Sequence, residues 1–157
     1  MTWFHLAEDY DKPMAQALTG QKSIGLSMEL IVLDDGSRPT MKPMSDIAGS
    51  IAMLESVKYC QTMNGGTGLL LRKVYGLPSP DIVILGGGSA GFNAAQVAVG
   101  LGLQVTVVEA SWNRIDYLKA AIPEADVVLY EENALEKLLI GCDVFINCIY
   151  PSPEPGK

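Results

Sequence analysis

From residue 81 onward, short uninterrupted apolar runs alternate with longer stretches in which aliphatic residues recur at three- and four-residue steps. DIVIL (81–85) is β-branched and continuous, the composition of a strand covered on both faces. SAGFNAAQVAVGLG follows with small and aliphatic residues at helical spacing, closed by Gly100 and Gly102. QVTVVE (104–109) predicts a second strand, WNRIDYLKAAI a second helix, ADVVLY (125–130) a third strand, NALEKLLIG a third helix and CDVFINCI (142–149) a fourth strand. This alternation predicts a parallel sheet with right-handed crossovers.

Upstream the pattern is less regular. TWFHL and KSIGL predict short strands, and DKPMAQALTG a short helix capped by Asp11 with Pro13 in its first turn. IVLDDGSRPTM reads as a strand, an Asp-Gly turn and a return segment. MSDIAGSIAMLESVKYC predicts one longer helix with Ser45 as N-cap, its Ile47, Ile51, Leu54 and Val57 at helical steps. That apolar stripe reads as ordinary core. NGGTGLLLRKVYGLPSP (64–80) is a Gly- and Pro-rich loop. The organisation expected is a segment 1–43 from the end of a substrate domain, a connecting helix at 44–63, and a nucleotide-binding domain at 64–157 whose sheet is incomplete at its C-terminal end.

The chemistry concentrates in ILGGGSAGFN, where Gly86-x-Gly88-x-x-Gly91 lies between the first strand of the alternating region and its helix. Gly86 permits the tight turn, Gly88 removes a side chain where pyrophosphate oxygens approach, and Gly91 lets helix and strand pack closely. The phosphates then meet N–H groups of Ser89 and Ala90 at the positive end of the helix dipole. Glu109, roughly 20 residues past the motif at the end of the second strand, suits the ribose hydroxyls of an adenosine half. Its charge would repel a 2′-phosphate, which favours NAD over NADP. Arg114 leaves three alternatives open: holding a 2′-phosphate, lying over the adenine, or facing solvent. Together these features define the fold class as α/β, a Rossmann-type parallel sheet (incomplete doubly wound) preceded by the end of a second α/β substrate domain.

Charge narrows the partners. Eighteen acidic residues against eleven basic ones give a net charge of −7, which disfavours a nucleic-acid backbone or an anionic membrane surface. Cys60, Cys142 and Cys148 show no metal-ligand spacing and read as buried thiols of a reducing compartment. The start MTWFHLAEDY has no signal-peptide character, and the expectation is a soluble cytoplasmic protein without a metal.

Read together, FHLAED, KPMSDIAG (42–49), NGGTG (64–68) and VILGGGSAGFNAAQVAVGLG resemble the alanine dehydrogenases, which share their fold with the nicotinamide nucleotide transhydrogenase α subunit. The glycine loop is common to many folds; PMSDIAG ahead of it is far more restrictive. The resemblance runs over essentially the whole chain. It implies an oxidoreductase that converts L-alanine, water and NAD to pyruvate, ammonia and NADH, and a homo-oligomer, commonly a hexamer. It implies further that His5 is a polar catalytic group beside the substrate, that Ser45 contacts the cofactor phosphates, and that Ile149 and Tyr150 border the ribose on the nicotinamide side. An imidazole near neutral pKa suits proton transfer to and from an amine. Read without the resemblance, His5 is a structural residue and Ser45 simply a helix cap.

The family's arginine and lysine that hold the substrate, and a later catalytic aspartate, have no counterpart that can be assigned; nothing in the pattern places Arg38, Lys42 or Arg72 beside His5. The chain therefore reads as a central portion of such an enzyme, catalytically incomplete by itself. A related amino-acid or opine-type dehydrogenase is the alternative suggested by the altered INCIYPSP ending, and a non-catalytic dinucleotide-binding module is the third.

Overall fold

The computed structural model describes residues 2–4 and 12–149. They form two compact units divided between Ser45 and Asp46.

The first unit has two strands, β1 (Thr2–Phe4) and β2 (Gly25–Ser27), paired in parallel with Phe4 opposite Ser27. Helix α1 (Lys12–Gly20) connects them, and Asp11, its expected cap, lies outside the described residues. A single 3-10 turn, Met28–Leu30, follows β2 directly. The hairpin expected over residues 31–41 does not form. The Asp-Gly turn exists, but it closes on itself: the Leu33 amide donates to the Ser37 carbonyl (2.9 Å), the Gly36 amide to the Leu33 carbonyl (2.9 Å) and the Ser37 amide to the Asp35 carboxylate (2.9 Å). With its local acceptors inside the turn, the segment has no ladder to extend.

Helix α2 (Lys42–Tyr59) starts earlier than the serine signal implied. The Ser45 amide already donates to the Met41 carbonyl at 2.9 Å, so Ser45 is inside the helix and is not its N-cap. Pro43 explains the shift, because its fixed φ and missing N–H suit the first turn.

The second unit is the predicted alternation. Strands β3 (Asp81–Leu85), β4 (Gln104–Glu109), β5 (Asp126–Leu129) and β6 (Val144–Asn147) form a parallel sheet in the order β5-β4-β3-β6. Helices α3 (Ser89–Gly100), α4 (Trp112–Ala121) and α5 (Glu132–Gly141) make the crossovers. The last two strands are shorter than their apolar runs, although single backbone bonds extend their ladders past the ends: the Asp143 amide, for example, donates to the Asp81 carbonyl at 2.9 Å. Gly102 ends α3 with φ +74°, a left-handed value that a side chain disfavours.

Burial follows from the sheet's two covered faces. Ile82, Val83 and Ile84 in β3 and Val105, Val107 and Val108 in β4 are all buried, with Ala94, Ala95 and Ala98 of α3 and Ile115 and Leu118 of α4 packed into the same core. The reading of α2's stripe as core holds only in part. Met53 is buried and Val57 half-buried, whereas Ile47 (61%), Ile51 (51%) and Leu54 (55%) are exposed. The buried face of α2 is set by Gly49: a Cβ there would run into the Ala90 backbone carbonyl, so the glycine lets α2 approach the first turn of α3 at backbone distance.

Candidate dinucleotide site

The chain leaves β3, turns through the glycine loop into α3, builds β4 and β5 on one side, and returns to β6 on the other. The gap between β3 and β6 at the carboxyl ends of the strands is therefore a topological switch point, where open α/β sheets bind ligands. Three backbone bonds carry the ladder past the strand ends: Gly86 amide to Val108 carbonyl (2.8 Å), Cys148 amide to Leu85 carbonyl (2.8 Å) and Tyr130 amide to Glu109 carbonyl (2.9 Å). They fix the walls of a cavity of about 510 Å³ that Gly86, Gly88, Glu109, Tyr130, Cys148 and Ile149 help to line.

Each glycine of the motif has a distinct job. Gly86 holds φ +93°, and a Cβ on it would press on the Cys148 carbonyl carbon at 3.2 Å. A Cβ on Gly91 would strike the Gly86 carbonyl, so this glycine sets how closely α3 meets the loop. Gly88 differs: its φ of −63° is ordinary and nothing lies within 4 Å of a Cβ built there. No packing among the described residues requires glycine at 88. The open space faces the start of α3, where the first amides, those of Ser89, Ala90 and Gly91, have no intrahelical acceptors.

Gly87, the middle position that the motif leaves unspecified, is the residue gripped most tightly. Its amide donates to Glu109 Oε2 at 2.7 Å, and its carbonyl accepts from Arg114 Nε at 2.6 Å. A Cβ at 87 would run into the Leu118 side chain. Glu109 Oε1 accepts the amides of Ala110 (2.8 Å) and Ser111 (2.9 Å), so the carboxylate holds the loop and the β4–α4 turn together at the cavity edge. The Arg114 guanidinium lies 4.5 Å from the Tyr117 ring centroid and 5.8 Å from that of Phe92, stacked among aromatic groups with its Nε committed to the loop. This geometry gives Arg114 a structural role, support of the glycine loop, beside the three alternatives read from the sequence.

The other expected residues divide. Ile149 lines the cavity; Ser45 does not, and it belongs to the first unit. His5 and Tyr150 lie outside the described residues. The sequence reading missed Gly49, Gly87, Tyr130, Cys148 and the Asn93 side chain, whose Nδ2 donates to Asp46 Oδ1 (2.9 Å) and to the Ser89 carbonyl (2.9 Å), tying α2 to the start of α3. A third consecutive glycine in GGGS was the one available signal for Gly87.

The cysteines are half-buried and free rather than fully buried. Burial pushes the Cys148 thiol up, and burial followed by the nearby Asp143 charge does the same for Cys60, so these groups stay neutral thiols near pH 7. Among the described residues no group of three or more His, Cys, Asp or Glu could hold a metal ion, and no helix is long and apolar enough to cross a membrane.

Residues 52–153 match the family described as alanine dehydrogenase/PNT, C-terminal domain. The chain is 39% identical over 118 residues to an alanine dehydrogenase of Staphylococcus epidermidis, a match covering 75% of this chain and 31% of that protein. Alanine dehydrogenase 2 of Staphylococcus aureus is also 39% identical, over 117 residues, 74% of this chain and 31% of that protein. The chain thus spans under a third of the length of these curated relatives. Among solved structures, an L-alanine dehydrogenase superposes with a TM-score of 0.84 at 28% identity, over 91% of this chain and 40% of that one. A transhydrogenase from Sinorhizobium meliloti superposes with a TM-score of 0.69 at 17% identity, over 92% and 43%, a likeness of fold.

Proposed function

The chain belongs to the alanine dehydrogenase/PNT C-terminal domain family, and on that footing we propose that it is the NAD-binding portion of an oxidoreductase that converts L-alanine to pyruvate and ammonia. Residues 64–157 form the cofactor domain in this reading, 44–63 the connecting helix and 1–43 the end of the substrate domain. The observation that carries it is the combination at the β3 end: a glycine at 88 that no packing among the described residues requires, and the Glu109 carboxylate at the rim of the same cavity.

The residues divide the cofactor between them. The amides of Ser89, Ala90 and Gly91 receive the pyrophosphate at the start of α3, where the dipole favours negative charge. Glu109 has acceptor capacity beyond its three backbone amides and takes the adenosine ribose hydroxyls, while its charge repels a 2′-phosphate. Ile149 and Tyr150 border the nicotinamide-side ribose. NAD bound in this way supplies a hydride acceptor for the substrate Cα. His5 exchanges the proton as the amine and its hydrated successor change charge.

Free thiols fit a reducing compartment, and we assign the protein to the cytoplasm. The exposed Ile47, Ile51 and Leu54 support a homo-oligomeric full-length form. Equilibrium dialysis of the chain against NADH, with ADP-ribose as competitor, tests the cofactor reading. One saturable site displaced by ADP-ribose is expected; absence of saturation overturns it.

A further inference from the structure

Helix α3 begins at a glycine. Its N-cap is Gly88, so the side-chain oxygen that usually steadies a first helical turn is missing from the turn that carries the Ser89, Ala90 and Gly91 amides. Two contacts from α2 take its place. Asn93 Nδ2 donates at 2.9 Å to the Ser89 carbonyl and at 2.9 Å to Asp46 Oδ1, both bonds partly shielded from water. A carboxylate only accepts, so Asp46 fixes the carboxamide with its NH₂ end inward. Beside this pair, Gly49 admits the Ala90 carbonyl so closely that a Cβ would have no room.

The two contacts fall on two particular peptide groups. The Ser89 carbonyl shares a planar unit with the Ala90 N–H, and the Ala90 carbonyl shares one with the Gly91 N–H. Holding either carbonyl from behind therefore sets the direction of the N–H in front of it, and a further hydrogen bond to the carbonyl polarises that N–H.

We propose that Asn93, oriented by Asp46, is a positioning residue for the pyrophosphate: it grips the Ser89 carbonyl and so aims the Ala90 N–H at the anion. The inference rests on the reading of the start of α3 as the phosphate end of the dinucleotide site. Asn93 acts through the peptide and needs no contact with the ligand.

Calorimetric titration of the full chain with NADH and with ADP-ribose, read beside amide NMR spectra and thermal melts, tests this. Asn93→Ala is expected to weaken both ligands about fivefold or more and to move the Ala90 amide signal. Asn93→Ser returns one donor, which can back-bond to the carbonyl four residues earlier but cannot also hold Asp46. It is expected to recover the Ala90 signal and affinity to within about threefold of the parent, while its melting temperature stays as low as that of Asn93→Ala. A merely structural role for Asn93 would lower the melting temperatures and leave both affinities alone. Unchanged affinity in a folded Asn93→Ala, or affinity that Asn93→Ser fails to recover, overturns the proposal. Should Asn93→Ala fail to fold, the affinity of Asn93→Ser decides in the same way. An unaltered chain that binds neither ligand removes the cofactor assignment, whereas binding that Asn93→Ala leaves intact removes the positioning role alone.

Discussion

The Glu109 carboxylate and the Gly87 amide are bonded at 2.7 Å, so the acidic group at the end of β4 is also a brace for the glycine loop. In the proposed cofactor reading, one side chain thereby serves both loop position and ribose recognition. Glu109→Gln keeps an acceptor but loses the charge and places an NH₂ among backbone donors. The expected outcome is NADH binding weakened about tenfold or more, in line with hydrogen bonds to charged groups, and a narrowed preference over NADPH. Titrations of the variant with both cofactors check this, and an unchanged ratio of the two affinities counts against Glu109 as the discriminating residue.

Gly88 and Gly91 separate binding from folding. A methyl at 88 has room in the protein, whereas one at 91 meets the Gly86 carbonyl. Gly88→Ala is expected to keep the melting temperature within a degree or two while weakening NADH about tenfold or more. Gly91→Ala is expected to lose about 1–3 kcal/mol of stability by overpacking, together with binding. Thermal melts alongside NADH titrations distinguish the two patterns.

Much of this was legible in the sequence, for identifiable reasons. The strands and helices after residue 80 are local patterns, apolar runs against helical spacing, and short connections carry them into a parallel sheet. The upstream part was less legible. Ser45 has the chemistry of a cap, but Pro43 starts α2 a turn earlier, and Asp35 and Gly36 fold their segment onto itself where a hairpin was expected. In the site, Gly86 and Gly91, where backbone geometry and close approach require glycine, fall on the spacing read from the sequence. Gly49 and the Asn93–Asp46 bond depend on how α2 meets α3, which no local pattern encodes.

Arg114 donates its Nε to the Gly87 carbonyl and so supports the glycine loop. Arg114→Ala removes the bond to the Gly87 carbonyl and the stacking on Tyr117, with an expected loss of about 1–2 kcal/mol of stability. NADPH binding is expected to fall no more than NADH binding falls. A selective loss of NADPH binding would return the arginine to phosphate recognition. Denaturant unfolding and paired cofactor titrations provide both readouts.

Burial raises the pKa of Cys60, Cys142 and Cys148, so thiolate forms only at higher pH than in an exposed cysteine. Alkylation by iodoacetamide at pH 8 is expected to be slower than for free cysteine, with the rate climbing as pH rises past the ordinary thiol range. Cys148 lines the cavity and should be further protected by NADH. Mass-spectrometric rates at each cysteine, with and without NADH, check both expectations.

The central claim, that the glycine loop and Glu109 form a working NAD site, is tested most directly by calorimetric titration of the chain with NADH and, separately, with NADPH. The account predicts one saturable site for NADH and affinity for NADPH at least about tenfold weaker, as a carboxylate at the ribose requires. Equal affinity for the two, or heat from neither, would contradict it.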